Sequence, residues 1–206
     1  MNIGVLALQG DFEAHAKRIR QIGHQVIYVR TEAELRQIHG LVMPGGESTA
    51  MLRLLNTPMK NALARAIGDG LPVLATCAGL ILLAKRVRNP SQESLDILDI
   101  EVVRNAYGRQ SESFVTTELE WTSDGRCFLE SCRFDSRNLP NAEGVFIRAP
   151  RISQTGQAVE TLLVFKGTPV MIRQANVIGL AFHPELSNGE FDLHQLFCNQ
   201  IGFGSH

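Results

Sequence analysis

The opening 86 residues alternate, four times over, between a short apolar run and a stretch with helical spacing. Ile3–Leu8 (IGVLAL), Gln25–Val29, Gly40–Met43 and Pro72–Ala75 have the length and composition of buried strands. Between them Phe12, Ala16, Ile19 and Ile22 recur at helical spacing until Gly23 stops the pattern. Thr31 can cap a short helix over Glu32–Gln37, a helix starts at about Ser48 with that residue as its cap, and another fills Pro58–Ile67. Ala78–Arg86 is expected to be helical as well. Strands apolar on both faces must be covered on both faces, and a helix after each strand returns the chain to begin the next one in parallel. The expected class is therefore α/β: three layers, with a mostly parallel central sheet flanked by helices.

The texture changes after Asn89. Ile100–Val103, Ser113–Thr117, Gly144–Arg148, Val159–Phe165, Pro169–Arg173 and Val177–Phe182 read as strands separated by turn residues. Lys166–Thr168 has the look of a hairpin turn, and Glu190–Ile201 of a closing helix. The second half thus adds extra, partly antiparallel strands to a single domain over 1–206. Ser123–Asn141 is polar and turn-rich, and reads as a surface excursion.

Composition narrows the function classes. A formal net charge of −1 offers no electrostatic footprint for nucleic acid or an anionic membrane. The longest apolar stretch, Leu80–Ala84, is far too short to span a bilayer. Met1-Asn2-Ile3-Gly4 lacks the basic start of a signal peptide. The cysteines Cys77, Cys127, Cys132 and Cys198 make no disulfide framework, so a cytoplasmic location is expected. Cys127 and Cys132 lack a second ligand pair and read as ordinary thiols, with no metal.

In open parallel sheets, functional groups gather beyond the carboxyl ends of the strands. Three marked stretches fall at such ends: Pro44–Ser48 (PGGES), Thr76–Gly79 (TCAG) and Phe182–Glu185 (FHPE). A nucleophile on a tight strand-to-helix turn needs small neighbours, which Thr76, Ala78 and Gly79 supply for Cys77. The helix start beside the sulfur favours thiolate. Taken alone, TCAG reads equally well as a core cysteine. A thiol also needs a base, and the base an orienting group. In an extended segment His183 and Glu185, two apart, face the same side, so Glu185 can hold one ring nitrogen while the other faces Cys77. His15, His24, His39, His194 and His206 read as structural histidines. Gly45-Gly46 allows a backbone with N–H groups bare to a ligand, and with the N–H of Ala78 could form an oxyanion site.

The chain resembles the class I (triad) glutamine amidotransferases. Within them it is similar to the glutaminase subunits of pyridoxal 5′-phosphate synthases, through IGVLALQGDFEAH, GLVMPGGESTAMLRLL, TCAGLILLAK, RNAYGRQSESF, GVFIRAP and GLAFHPEL. It departs in two places: Ala75 stands where the family commonly has Gly, and Trp121–Asn141 is longer than usual. The resemblance implies a flavodoxin-like fold and hydrolysis of L-glutamine to glutamate and ammonia. Cys77 would attack, His183 would shuttle the proton and Glu185 would orient it; Gly46 and Ala78 would hold the oxyanion. Gly46, Glu47, Ser48, Arg104, Ile147 and Arg148 would line the glutamine site, with Arg104 or Arg148 on the substrate carboxylate. Ammonia would pass to a separate synthase subunit; no cofactor is expected on this chain. The nearest rival is a triad glutaminase of another synthase, such as imidazole glycerol phosphate synthase. A non-catalytic binding subunit and an esterase or peptidase are the others. A further expectation is that the isolated subunit is largely dormant. The Gly45–Gly46 peptide can sit in two orientations, and a partner touching Leu8–Asp11 would select the productive one.

Overall fold

A computed structural model describes residues 1–106, 113–135 and 138–203. The first half runs β1 (Asn2–Leu6), α1 (Phe12–Gln21), β2 (Gln25–Val29), α2 (Glu32–Leu35), β3 (Gly40–Met43), α3 (Ser48–Leu54), α4 (Thr57–Gly68), β4 (Val73–Thr76) and α5 (Ala78–Leu83). The second half adds β5 (Ala84–Arg88), β6 (Leu98–Val103), β7 (Phe114–Thr116), β8 (Leu119–Trp121), α6 (Ser123–Ser131), β9 (Gly144–Phe146), β10 (Arg151–Thr155), β11 (Glu160–Phe165), β12 (Thr168–Gln174), β13 (Val177–Leu180) and α7 (Leu193–Phe203). No described helix is long and apolar enough to cross a membrane.

The main sheet has the order β2-β1-β3-β4-β13-β12-β11-β8. Its first five strands are parallel and the last three pairings antiparallel. The mixed α/β class is the expected one. β3, β4 and β13 are buried at every position, as strands covered on both faces must be. Since β13 returns from the far half of the chain to pair with β4, the TCAG and FHPE stretches end on adjacent strands. α5 lies wholly inside, with Leu80, Leu82 and Leu83 at 0% exposure. Full burial of each such side chain contributes about 1.5–3 kcal/mol.

Several elements differ from the sequence reading, which had no strand at β8 or β10. The expected helix over Ala78–Arg86 stops at Leu83, and β5 pairs with β6 in a separate three-stranded sheet with β10. Lys85 and Arg88 there face Asp99 and Glu101 at 3.1 and 2.9 Å, cross-strand partners invisible to local propensity. Ser123–Asn141 is not simply a loop. Thr122 accepts the Gly125 N–H as an N-cap, and α6 buries Phe128 and Leu129 against the sheet edge. Cys132 is buried behind it while Cys127 is exposed; both are free thiols.

Candidate active site

Cys77 sits between β4 and α5 with φ 46° and ψ −100°, a left-handed backbone that is strained for a residue with a side chain. Neighbours hold it there. Its N–H donates to the Leu180 carbonyl of β13 at 2.9 Å, and its carbonyl accepts from Ile81 at 3.1 Å. Gly79 must be glycine: a Cβ there would lie 2.3 Å from the Met43 carbonyl oxygen of β3. The turn therefore lifts the Cys77 side chain at the carboxyl ends of three adjacent strands.

His183 follows β13 and is anchored by its N–H to the Val145 carbonyl at 2.9 Å. The expected extended segment is absent. Pro184–Leu186 forms a 3-10 turn with His183 as its N-cap, and the turn, rather than strand alternation, swings Glu185 back under the ring. Glu185 Oε1 lies 2.7 Å from His183 Nδ1, leaving Nε2 for the thiol side. Burial opposes charge on both groups. Even so, the hydrogen bonds and charge of Cys77 and Glu185 outweigh it at His183 and raise the imidazole's pKa, while His15 and His183 hold Glu185 below the usual carboxylate range.

Gly46 has φ 149°, within the region that favours glycine. The Gly45 carbonyl accepts the Asp11 N–H at 3.2 Å, and the Glu47 N–H donates to Gln9 Oε1 at 2.8 Å. The loop after β1 is thus clamped onto PGGES. The cap of α3 is Glu47 and not Ser48: its carboxylate accepts from Thr49 and Ala50 N–H at 3.1 and 2.7 Å. Arg104 Nη2 adds a contact to Glu47 at 3.1 Å. Burial pushes the Glu47 carboxyl up, but these donors more than offset it and lower its pKa.

One cavity brings together Gly46, Glu47, Ser48, Cys77 and His183 with Arg104, Ile147 and Arg148. Ala78 follows in α5, and Glu185 is buried behind His183. Asp11, Ile81 and Asn105 also line it and were not expected. Asp11 Oδ2 is 3.9 Å from His183 Nδ1. Ser48 donates its hydroxyl to Gln92 Oε1 at 2.8 Å. His15, read from sequence as structural, is fully buried 3.2 Å from Glu185. The signal was present: positions 12, 15, 16 and 19 share one face of a helix. His206 lies outside the described residues. A strained cysteine, an imidazole and a buried acid around one cavity can form and hydrolyse an acyl-thioester.

Comparison with known proteins gives the family. Residues 5–202 match the model of the SNO glutamine amidotransferase family. The chain belongs to that family. Its relatives include the "Pyridoxal 5'-phosphate synthase subunit PdxT" of Thermotoga maritima, 43% identical over 98% of this chain and 100% of that one. The protein of the same name from Koribacter versatilis is also 43% identical, over 100% of this chain and 98% of its own. A crystal structure titled as a glutamine amidotransferase superposes with TM-score 0.83 at 36% identity, covering 97% of this chain and 98% of the other. PurLQS from Thermotoga maritima shares the fold, with TM-score 0.68 at 17% identity over 98% and 97% of the two chains.

Proposed function

We propose that this SNO-family chain hydrolyses L-glutamine to glutamate and ammonia as the glutaminase subunit of a pyridoxal 5′-phosphate synthase. The observation that carries the reading is the 2.7 Å contact of Glu185 with His183, whose ring lines the cavity that also holds the strained Cys77. The Cys77 thiolate attacks the side-chain amide carbon. Negative charge forms on the carbonyl oxygen, for which the N–H groups of Gly46 and Ala78 are the donors. His183 protonates the departing ammonia, leaving a thioester, and then takes a proton from the water that cleaves it. Glu185 keeps the ring aligned through both steps.

The substrate carries its own carboxylate. Arg104 is already engaged by Glu47, whereas Arg148, at the cavity mouth with φ 47°, pairs with no carboxylate among the described residues. Arg148 is therefore the carboxylate partner, and the Glu47–Arg104 pair fixes the wall. The ammonia passes to a separate synthase subunit; the reaction needs no cofactor on this chain, and its setting is the cytoplasm. The test is ammonia release from glutamine with and without the synthase subunit, alongside labelling by a thiol-directed glutamine analogue. Label on Cys77 and ammonia with the partner support the reading. Absence of ammonia in the complex overturns it.

A further inference from the structure

Glu185 is not the end of the polar chain. Behind it His15, on α1, is fully buried and reaches toward α7. Its Nε2 lies 3.2 Å from Glu185 Oε2 and 3.3 Å from the Thr76 hydroxyl. Its Nδ1 lies 2.9 Å from Nε2 of His194, itself buried, and the two rings tilt at 58° with centroids 5.1 Å apart. His194 Nδ1 is 3.2 Å from Asp192 Oδ1, which also accepts the His194 backbone N–H at 2.8 Å. Asp192 is partly open to solvent. Two imidazoles thus bridge an outer carboxylate to the buried one.

Protons can be counted along this bridge. Three contacts separate Asp192 from Glu185, two of them hydrogen bonds and the one at His15 Nε2 an ion-pair contact, and each is favourable only with one N–H between its two atoms. Two neutral imidazoles supply only two. With both carboxylates ionised, the third link is made only if the pair carries one more proton. Burial opposes ionisation of Asp192, yet its bonds to His194 lower its pKa. Burial also disfavours charge on His194 and lowers its pKa, which leaves the extra proton on His15. The alternative has the Thr76 hydroxyl donate to a bare Nε2. That turns a nitrogen lone pair toward Glu185 Oε2, an oxygen sealed from solvent with no well-aligned donor among the described residues. A buried carboxylate oxygen without a donor is costly. Other groups around the pair do not replace the missing donor. Arg18 bonds the backbone carbonyls of Glu185 and Ser187. His183 occupies the other Glu185 oxygen, with Asp11 beyond it. Cys198 of α7 is pushed up to about 12, chiefly by burial, and stays a neutral thiol.

We propose that His15 is a positioning residue of this centre: a buried imidazolium, held by neutral His194 and by Asp192, that pins the second oxygen of Glu185 so that the first stays on His183. The proposal rests on the glutaminase reading for its consequence and on the proton count for its existence. Without the cation Glu185 is more easily protonated, and the His183 ring loses a fixed partner. Substrate contacts are untouched.

The direct test is a 15N spectrum of the histidine-labelled wild-type chain, with the His15 ring assigned through its contacts to Thr76. Both His15 nitrogens are expected to be protonated at pH 8, and Nε2 of His194 bare. A neutral His15 overturns the proposal whatever the activity. The kinetic test is His15→Gln in the complex with the synthase subunit. Groups that orient a reactive group from behind are typically worth 10–100-fold. A kcat loss of that order is expected, with KM nearly unchanged and the acid limb of kcat/KM moved to higher pH. A uniform loss with an unmoved limb marks a merely structural residue and overturns the proposal. A wild-type complex that releases no ammonia from glutamine overturns the glutaminase reading instead, and the nitrogen spectrum still decides the state of His15.

Discussion

The backbone N–H of Asp11 donates to the carbonyl oxygen of Gly45 at 3.2 Å, and this bond sets which way the Gly45–Gly46 peptide faces. A planar trans peptide points its C=O and N–H in opposite directions. With the carbonyl tied to the loop after β1, the Gly46 N–H faces away from that loop. Gly10 makes the contact possible: at φ 94° it has no Cβ, and one built there would lie 1.8 Å from the Gly45 oxygen. Gly10→Ala is therefore expected to displace the peptide and lower kcat on the order of 10²–10³, the usual effect of one lost oxyanion donor. Alkylation of Cys77 by iodoacetamide, which needs no oxyanion donor, reports whether the fold is intact. Unaltered turnover in that variant would separate the clamp from catalysis.

The same clamp makes the Leu8–Asp11 loop the place where a partner could act. We expect the subunit alone to hydrolyse glutamine slowly and the synthase subunit to raise kcat. Steady-state assays of both forms decide this. Substitutions at Gln9, whose Oε1 holds the Glu47 N–H at 2.8 Å, should reduce the activation. Equal activity with and without the partner removes the switch.

Cys77→Ala is expected to cut kcat on the order of 10⁴–10⁶ without unfolding the chain, and His183→Asn nearly as much. Glu185→Gln should be milder, because it removes an orienting group and not a reacting one. With ammonium supplied directly, the synthase should still form product beside each of these variants.

Arg148→Ala is expected to raise the KM for glutamine by about 10–100-fold with kcat little changed, as loss of a charged hydrogen bond of about 1.5–3 kcal/mol implies. Arg104→Ala should act differently, because it frees Glu47 and disturbs the start of α3. If the KM effect falls on Arg104 alone, the assignment of the carboxylate partner is reversed.

Stability should vary with pH in a defined sense. The Glu185 carboxyl is depressed below its ordinary value of 4.5, with His15 and His183 outweighing burial. Its contribution is full above that value and is lost as pH falls through the folded-state pKa. His183 is raised above 6.5, because its hydrogen bonds and charge interactions with Cys77 and Glu185 outweigh burial. Its contribution is full below 6.5 and is lost as pH rises through the folded-state pKa. Urea unfolding across pH should show both losses, and Cys77→Ala should weaken the alkaline one.

Phe128→Ala in α6 is expected to cost about 3–5 kcal/mol of stability, since the ring is buried and lies 5.0 Å from the Arg173 guanidinium. Glutaminase activity of the folded variant should be unchanged, because α6 packs at β8 and β11, the far edge of the main sheet from β4.

Much was determined locally. The apolar runs of the first half were long enough and apolar enough to be strands buried on both faces, so the parallel sheet followed from sequence. Small residues around Cys77 and the paired glycines after Met43 likewise announced tight turns, and of the residues named for the site all but Ala78 and Glu185 line the cavity. What sequence could not supply was anything that depends on a distant partner. β5 is a strand only because β6 lies beside it with Asp99 and Glu101 for its cations. α6 is a helix because the sheet edge offers Phe128 and Leu129 somewhere to go. Glu185 meets His183 through a 3-10 turn that periodicity does not encode. His15 and His194 stand 179 positions apart, each on the buried face of its own helix. Only the packing of α1 and α7 behind the sheet makes them neighbours, and only then does a histidine in the core become a proton count.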